Sequence, residues 1–173
     1  ELEELCDLSV RGLEELIDYQ EYPVKAAELA TKARRSLGVG FIGLAHYLAK
    51  LGYKYESQEA WDAVHGLAES FQYYLIKSSN EIAKEKGWCE NFGRTKYSDG
   101  ILPIDTYKKD VDEICSQPLQ HDWESLRASI LEHGLRHSTL SAQMPSESSS
   151  VVSNATNGIE PPRGYLSIKK SKK

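Results

Sequence analysis

Apolar residues recur at helical spacing from the first residues of the chain. The strings LEELCD at Leu2 and LEELID at Leu13 are offset by 11 residues, which returns their leucines to one face of a helix. The pattern predicts an amphipathic helix that ends near Tyr19, because Pro23 cannot continue a helix and biases Tyr22 toward an extended conformation.

Capping residues mark further helices in the first 134 residues. Ser57 is a predicted N-cap, Gly87 and Gly134 are typical C-terminal stops, and a further helix is expected from about Asp122. Asp105 also has the character of an N-cap. The predicted helices are 24–51 with or without a break, 57–86, 105–114 and 122–133.

Beyond Gly134 the pattern changes. Residues 135–142 and 165–169 are predicted strands, and they flank a serine-rich stretch, 144–164, that opens a short helix. In α/β folds, ligand sites commonly lie where a strand ends and a helix begins. The expected fold class is therefore α/β, as a single segment over 1–173. It is mainly helical over 1–134, with strand, loop, short helix and strand over 135–173.

Composition excludes several classes of function. With 40% hydrophobic and 27% charged residues, the 173-residue chain is long enough for one core. A formal charge of -5 gives no general attraction to nucleic acid. The longest apolar run, 39–45, is broken by two glycines and is too short to span a membrane. The basic end, 169–173, is interpreted as a solvated tail, and the start at Glu1, with no Met and no apolar leader, suits a cut or processed terminus.

The metal-ligating residue types form no convincing site. Cys6, Cys89 and Cys115 lack the spacing of a thiolate zinc site or a disulfide framework, so reduced thiols and a cytoplasmic location are expected. His65 and Glu69 stand four residues apart on a predicted helix, as some metal ligands do, but no third ligand joins them. A surface hydrogen bond is the preferred interpretation, and no metal site is predicted.

Residues 38–43 read GVGFIG, a literal G-x-G-x-x-G. The dinucleotide fingerprint requires a buried strand before the glycines and an acidic residue about 20 positions later. The preceding residues are charged and helix-like, and no acidic strand end follows. We therefore expect these glycines to allow close packing against another backbone, with an NAD-binding dehydrogenase as the weaker alternative.

The serine-rich stretch 144–164, here called the serine loop, has the composition of an anion site. Its short hydroxyls stand at the start of a helix, where unpaired amides and the helix dipole favour phosphate. Serines at helix starts also occur for capping alone, so an N-capped surface helix is the alternative. Glu147 would repel a phosphate unless its side chain points elsewhere.

Four strings together are similar to one family, in the same order along the chain. They are RRSLGVG at 34–40, GILPIDTYKKD at 100–110, HGLRHSTL at 133–140 and the serine loop. The chain resembles an internal piece of the large (alpha, catalytic) subunit of bacterial class I ribonucleotide reductase. This resemblance implies that the segment is part of a ten-stranded α/β barrel.

The resemblance also implies a binding site. The substrate-binding residues carried over by match are Pro145, Ser146, Glu147, Ser148 and Ser149. In the family, amides and hydroxyls of this stretch hold the substrate diphosphate, and the glutamate turns toward the catalytic hydrogen-bond network. Ser148 stands where many relatives have threonine, which keeps the hydroxyl. The contexts of the family's radical cysteine, redox cysteine pair and relay tyrosines have no match, so no catalytic residue is carried over.

The function implied by the resemblance belongs to a longer parent enzyme. That parent reduces ribonucleoside diphosphates to deoxyribonucleotides for DNA synthesis and is regulated by ATP and dNTP. Its partners are the remainder of the large subunit, a second large subunit in a homodimer, and a separate metal-containing small subunit that supplies a radical. The segment itself is expected to hold no cofactor and to be inactive alone. A non-catalytic helical interaction module is the alternative from another class.

Overall fold

The computed structural model describes residues 1–115, 117–164, 166 and 168. Its α-helices are α1 (Leu2–Tyr19), α2 (Lys25–Arg34), α3 (Leu44–Leu51), α4 (Gln58–Lys86), α5 (Pro103–Thr106), α6 (Trp123–His133) and α7 (Glu147–Ser153). Three 3₁₀ helices span Phe92–Arg94, Lys96–Asp99 and Lys109–Glu113. Over the described ranges the chain contains helices and no strand. None of the described helices combines the length and apolarity needed to cross a membrane.

Helices α1, α4 and α6 build the main core. The buried residues of α1 are spaced three and four apart, as one helix face requires. Side chains from all three helices meet in one apolar cluster. Its members include Cys6, Val10 and Ile17 on α1, Phe71, Leu75, Ile76 and Ile82 on α4, and Trp123, Leu126 and Ile130 on α6.

The helix boundaries confirm the predicted N-cap Ser57 and the predicted C-terminal stops Gly87 and Gly134. Ser57 accepts a hydrogen bond from Ala60 N at the start of α4, and Asp122 accepts one from Ser125 N at the start of α6. The predicted helix 24–51 is broken, because Arg35 adopts a left-handed conformation with φ of 47° at the end of α2. The chain then runs without a helix to Gly43.

The prediction of one helix over 105–114 is wrong. Asp105 lies inside the four-residue helix α5, where its carboxylate accepts the Leu102 amide at 2.7 Å and bonds the Arg127 guanidinium. Asp105 is thus used to start α5 and to tie it to α6. A separate 3₁₀ helix, Lys109–Glu113, follows.

The prediction of a strand over 135–142 is also wrong within the described residues. Only one parallel bridge forms, between Val39 and Ser141. The Val39 amide bonds Leu140 O at 2.9 Å, and the Ala142 amide bonds Val39 O at 3.0 Å. The first half of the segment is instead bound to α4. The predicted strand 165–169 lies outside the described residues except for positions 166 and 168, and the basic tail 169–173 lies wholly outside them.

A buried polar stretch of α4 binds the turn after α6. The Ser79 carbonyl accepts the Arg136 amide at 3.2 Å, and the Ser79 hydroxyl accepts the His137 amide at 3.1 Å. Asn80 donates from its side chain to Gly134 O at 2.8 Å. The backbone of 134–137 thus finds its partners on a helix, which leaves too few ladder bonds for a strand.

Gly40 confirms the close packing expected of the glycine motif. A Cβ atom built on Gly40 would lie 2.1 Å from the carbonyl oxygen of Ala142 and 3.1 Å from the side chain of Met144. A Cβ atom built on Gly38 would lie 3.3 Å from the Cβ of Ala142. The glycines therefore let the 38–40 segment approach the chain that leads into the serine loop.

The most buried charged group of the described chain is Glu14, on the inner face of α1. Its carboxylate is 1% exposed and bonds Arg35 Nε at 2.7 Å, Arg136 Nε at 2.7 Å and His137 Nε2 at 3.0 Å. Arg35 also bonds Asp18, one turn farther along α1. These four residues, Glu14, Arg35, Arg136 and His137, form what is called here the Glu14 cluster.

The geometry of the Glu14 cluster determines the form of His137. The Glu14 carboxylate can only accept, so His137 Nε2 carries the proton, and Nδ1 accepts from the Ser79 hydroxyl at 2.9 Å. Burial lowers the pKa of His137, against the opposing effect of Glu14. Burial alone would raise the pKa of Glu14, but hydrogen bonds from His137, Arg35 and Arg136 hold it well below its ordinary value.

We predict that acid destabilises the fold in two stages. A histidine whose pKa is lowered by folding binds its proton more readily when unfolded, so stability is lost as the pH falls below the ordinary value of 6.5. Glu14 adds a further loss below its ordinary value of 4.5. The melting temperature should therefore decrease as the pH is lowered from about 7.5 to about 5.5.

The variant His137→Gln should reduce the dependence of the melting temperature on pH in this range, because the glutamine amide can bond Glu14 and Ser79 without titrating. The exposed His46 offers the matched control, and His46→Gln should keep the slope of the parent. Equal slopes for His137→Gln and the parent chain would contradict the role given to His137. Circular dichroism melts at a series of pH values make the measurement.

We predict opposite effects of alanine at two glycines. Gly40→Ala should lower the free energy of unfolding by about 1–3 kcal/mol, because its methyl group would collide with a backbone oxygen. Gly12→Ala, in α1 with no atom within 4 Å of the added Cβ, should raise it by up to about 1 kcal/mol through helix propensity. Urea unfolding of the two variants provides the comparison, and a neutral Gly40→Ala would argue against the close approach.

Candidate anion-binding loop

Helix α7 starts near the beginning of the serine loop. Ser146 occupies the N-cap position, and the first backbone bond of the helix joins Ser150 N to Ser146 O at 2.8 Å. The helix ends at Asn154, which is left-handed with φ of 52°. The amides of Ser148 and Ser149 lie in the first turn, where a helix supplies no backbone acceptor.

Ser146 is a structural residue of the loop. It is 6% exposed, and its hydroxyl donates to Asn157 Oδ1 at 2.9 Å and accepts from Gly158 N at 2.9 Å. The Ser146 amide also donates to Asn157 Oδ1, at 2.8 Å. The Ser146 side chain makes no capping bond to α7; it joins the beginning of the serine loop to the turn at 157–158.

The far side of the serine loop is attached to α3. Gly43 N donates to Thr156 O at 2.9 Å, and the Tyr55 hydroxyl donates to Ile159 O at 3.0 Å. Leu44 N, the first amide of α3, donates to Gly158 O at 3.4 Å. The glycine motif and α3 thus form the support on which the start of α7 rests.

The five residues that the sequence singled out have two kinds of environment. Ser146 is buried, whereas Pro145, Glu147, Ser148 and Ser149 are exposed around the first turn of α7. The hydroxyls of Ser148 and Ser149 form no hydrogen bond with any described residue, while Ser153 donates its hydroxyl back to Ser149 O at 2.7 Å. Glu147 stands at the first helical position, where the dipole favours a carboxylate. The structure therefore brings the five together and leaves two serine hydroxyls facing solvent.

Sequence reasoning missed Asn157 and Gly158. Both are needed to hold Ser146 in place. The Asn-Gly pair, 11 residues after Ser146, indicates a turn. This was the only signal in the sequence that pointed to these two residues. What it could not indicate was the partner of the turn, because the contact is made by a folded-back loop.

The other candidate ligands do not gather. Glu69 accepts the backbone amides of Gln120 and His121 and the indole N–H of Trp123 at 3.1 Å, and it shares no bond with His65. All three cysteines are free and buried. Burial raises the pKa of the Cys6 thiol to about 11, which suits a packing residue better than a nucleophile. The part of the chain that the structure describes holds no cluster of three or more potential metal ligands.

Comparison with known proteins identifies the family to which the chain belongs. The family model described as ribonucleotide reductase, barrel domain, matches residues 1–173. The chain belongs to this family. The resemblance inferred from the four strings of sequence is therefore confirmed.

Individual relatives agree with the family match. The ribonucleoside-diphosphate reductase subunit alpha of Haemophilus influenzae is 61% identical over 164 residues, which cover 95% of this chain and 22% of the relative. Subunit alpha of reductase 1 from Escherichia coli is 60% identical, covering 90% and 20%. Subunit alpha from Buchnera aphidicola is 56% identical, covering 99% and 23%. The chain thus spans about a fifth of the length of these relatives. Membership of the family favours the reductase interpretation over the dehydrogenase and the helical interaction module.

We predict that Ser146 and Ser148 differ in their effect on folding. Ser146→Ala should lower the free energy of unfolding by about 1–3 kcal/mol, since it leaves the Gly158 amide and the Asn157 side chain without their partner. Ser148→Ala, at an exposed position in the same loop, should change it by less than about 0.5 kcal/mol. Chemical denaturation of the two variants tests this, and equal stabilities would remove the structural role of Ser146.

Proposed function

We propose that this chain is a segment of the large subunit of a ribonucleoside-diphosphate reductase. The complete enzyme would reduce ribonucleoside diphosphates to deoxyribonucleotides for DNA synthesis. The observation that carries the proposal is the family match over 1–173, together with identities of 56–61% to proteins named as reductase alpha subunits. The serine loop is the part of this chain that would contact the substrate.

The proposed contribution of the serine loop is to hold the substrate diphosphate. Two amides at the start of α7 and the solvent-facing hydroxyls of Ser148 and Ser149 can donate to phosphate oxygens, and the helix dipole adds to the attraction. Pro145 would set the turn that leads in. Ser146 would serve the site by fixing the loop through Asn157, since its hydroxyl is already engaged.

Glu147 has a different proposed role. A carboxylate beside a diphosphate raises the energy of the complex by like-charge repulsion, so its side chain would be directed away from the phosphates. In the resembled enzymes this glutamate faces the catalytic hydrogen-bond network. The radical cysteine, the redox cysteine pair and the relay tyrosines of that network would all come from outside this chain, as would ATP and dNTP regulation.

The barrel and the partner subunits are part of the same proposal. In this proposal the remainder of the large subunit completes a ten-stranded α/β barrel, and the isolated parallel bridge between Val39 and Ser141 is the sheet-type pairing that the described residues contribute. An apolar cavity of about 820 Å³ between α4 and the 103–123 region, and the exposed leucines Leu5, Leu8 and Leu16 of α1, are surfaces that such a remainder would cover. A second large subunit and a metal-containing, radical-generating small subunit would complete the enzyme, in the cytoplasm.

We predict that the double variant Ser148→Ala/Ser149→Ala weakens substrate binding in the complete subunit. Each charge-assisted hydrogen bond to phosphate contributes roughly 1.5–3 kcal/mol, so the dissociation constant of a nucleoside diphosphate should rise by roughly tenfold or more. Calorimetric titration of the subunit gives the constant. Formation of deoxynucleoside diphosphate in the presence of the small subunit gives the activity.

Ser153→Ala is the matched control, because the Ser153 hydroxyl is bonded inside α7 and lies at its other end. This variant should bind substrate like the parent. Unchanged affinity in the double variant would reject the phosphate role of the two serines but leave the family assignment intact. A complete subunit with no reductase activity would reject the function itself.

A further inference from the structure

A second concave site lies away from the serine loop. It is a pocket of about 380 Å³ formed by the end of α2, the 3₁₀ helix Lys96–Asp99, the 101–106 region and residues 138–139. Three basic side chains line it, those of Arg34, Arg94 and Lys96. This site is called here the basic pocket.

The charges of the basic pocket are uncompensated. Most basic side chains of the described chain form ion pairs, whereas Arg34, Arg94 and Lys96 form no ion pair or side-chain hydrogen bond with any described residue. No carboxylate is among the residues that line the pocket. Asp105, which precedes a lining residue, is already bonded to Arg127 at 2.7 Å. In a chain with a net charge of -5, this is a local concentration of positive charge.

The basic pocket also offers neutral donors. Thr106 and Thr139 line it, and their hydroxyls make no hydrogen bond to another described residue. Guanidinium groups with nearby hydroxyls are the donors that proteins use for phosphate, since arginine binds two oxygens at once. One wall is apolar, with Ile101, Leu102 and Pro103, so the pocket has room for an organic group beside the anion.

The basic pocket and the serine loop are separate sites. Residues 37–39 and 139–142 run parallel to each other. Arg34 and Ser138 stand just before these paired segments, whereas the serine loop follows them. An anion in the basic pocket would therefore lie at the opposite end of the paired segments from the start of α7.

We propose that the basic pocket binds a small phosphate-bearing anion. The proposal rests on the lining of the pocket and is independent of the function proposed for the serine loop. Arg94 and Lys96, which stand at the junction of the 3₁₀ helices Phe92–Arg94 and Lys96–Asp99, contribute two of the charges, and Arg34 contributes the third from the end of α2. The hydroxyls of Thr106 and Thr139 complete the set of donors.

The test is a titration of the 173-residue chain with inorganic phosphate and, separately, with phenyl phosphate. Amide NMR signals report the position of binding, and we expect shifts at Thr95, Thr106 and Thr139. Tighter binding of phenyl phosphate would identify a phosphate ester as the natural ligand, and equal binding would identify free phosphate. Either result supports the proposal.

The double variant Arg94→Gln/Lys96→Gln should weaken binding on the order of tenfold or more, because two charge-assisted contacts are lost. Lys50→Gln/Lys54→Gln is the matched control: it removes the same charge at exposed lysines that also lack ion pairs in the described structure. Binding in the control should equal that of the parent. Equal weakening in both variants, shifts confined to Ser148 and Ser149, or no saturable binding would each overturn the proposal.

Discussion

The buried carboxylate of Glu14 is the constraint on which the arrangement of the helices depends. Removing a carboxylate from water costs several kcal/mol or more unless its oxygens are fully bonded. Glu14 meets that requirement with partners from two distant parts of the chain, Arg35 after α2 and the Arg136–His137 pair after α6. The first helix, the glycine motif and the approach to the serine loop must therefore come together at one point. A packing that placed any of these elements elsewhere would leave a buried charge without its hydrogen-bond partner.

The conformation of Arg35 follows from the same constraint. A buried arginine in the left-handed region is unusual, and its strain persists only where surrounding contacts over-determine it. The side chain reaches both Glu14 and Asp18 on successive turns of α1. By ending α2 in this way, Arg35 turns the chain into the extended segment that pairs with residues 139–142. A local backbone cost is thus offset by an ion-pair network, and the direction of the glycine motif is fixed.

The sequence predicted the features that depend on neighbours in the chain. Helix α4 is bounded by Ser57 and Gly87, and α6 by Asp122 and Gly134, because caps act within a few residues. The absence of a strand over 135–142 could not be predicted from neighbouring residues. The amides of Arg136 and His137 donate to Ser79, which lies on a helix more than 50 positions away. For the same reason, the local sequence does not distinguish Glu14 from the surface acids of an amphipathic helix. In the serine loop, the position of the five residues was predictable from the motif. The burial of Ser146 was not, because it depends on Asn157 folding back.

The buried stretch Ser78-Ser79-Asn80 changes how the longest helix holds its shape. Serine and asparagine are poor helix formers, since their side chains compete for backbone groups, yet they stand in the interior of a 29-residue helix. Here the Ser78 side chain is bonded to Asp7, the Ser79 side chain to His137, and the Asn80 side chain to Gly134 and Ser129. These bonds remove the competition. The second half of α4 is accordingly a helix that depends on tertiary contacts, chief among them those with α6 and the turn after it. In the folding of the chain these two pieces would order together, as one cooperative unit.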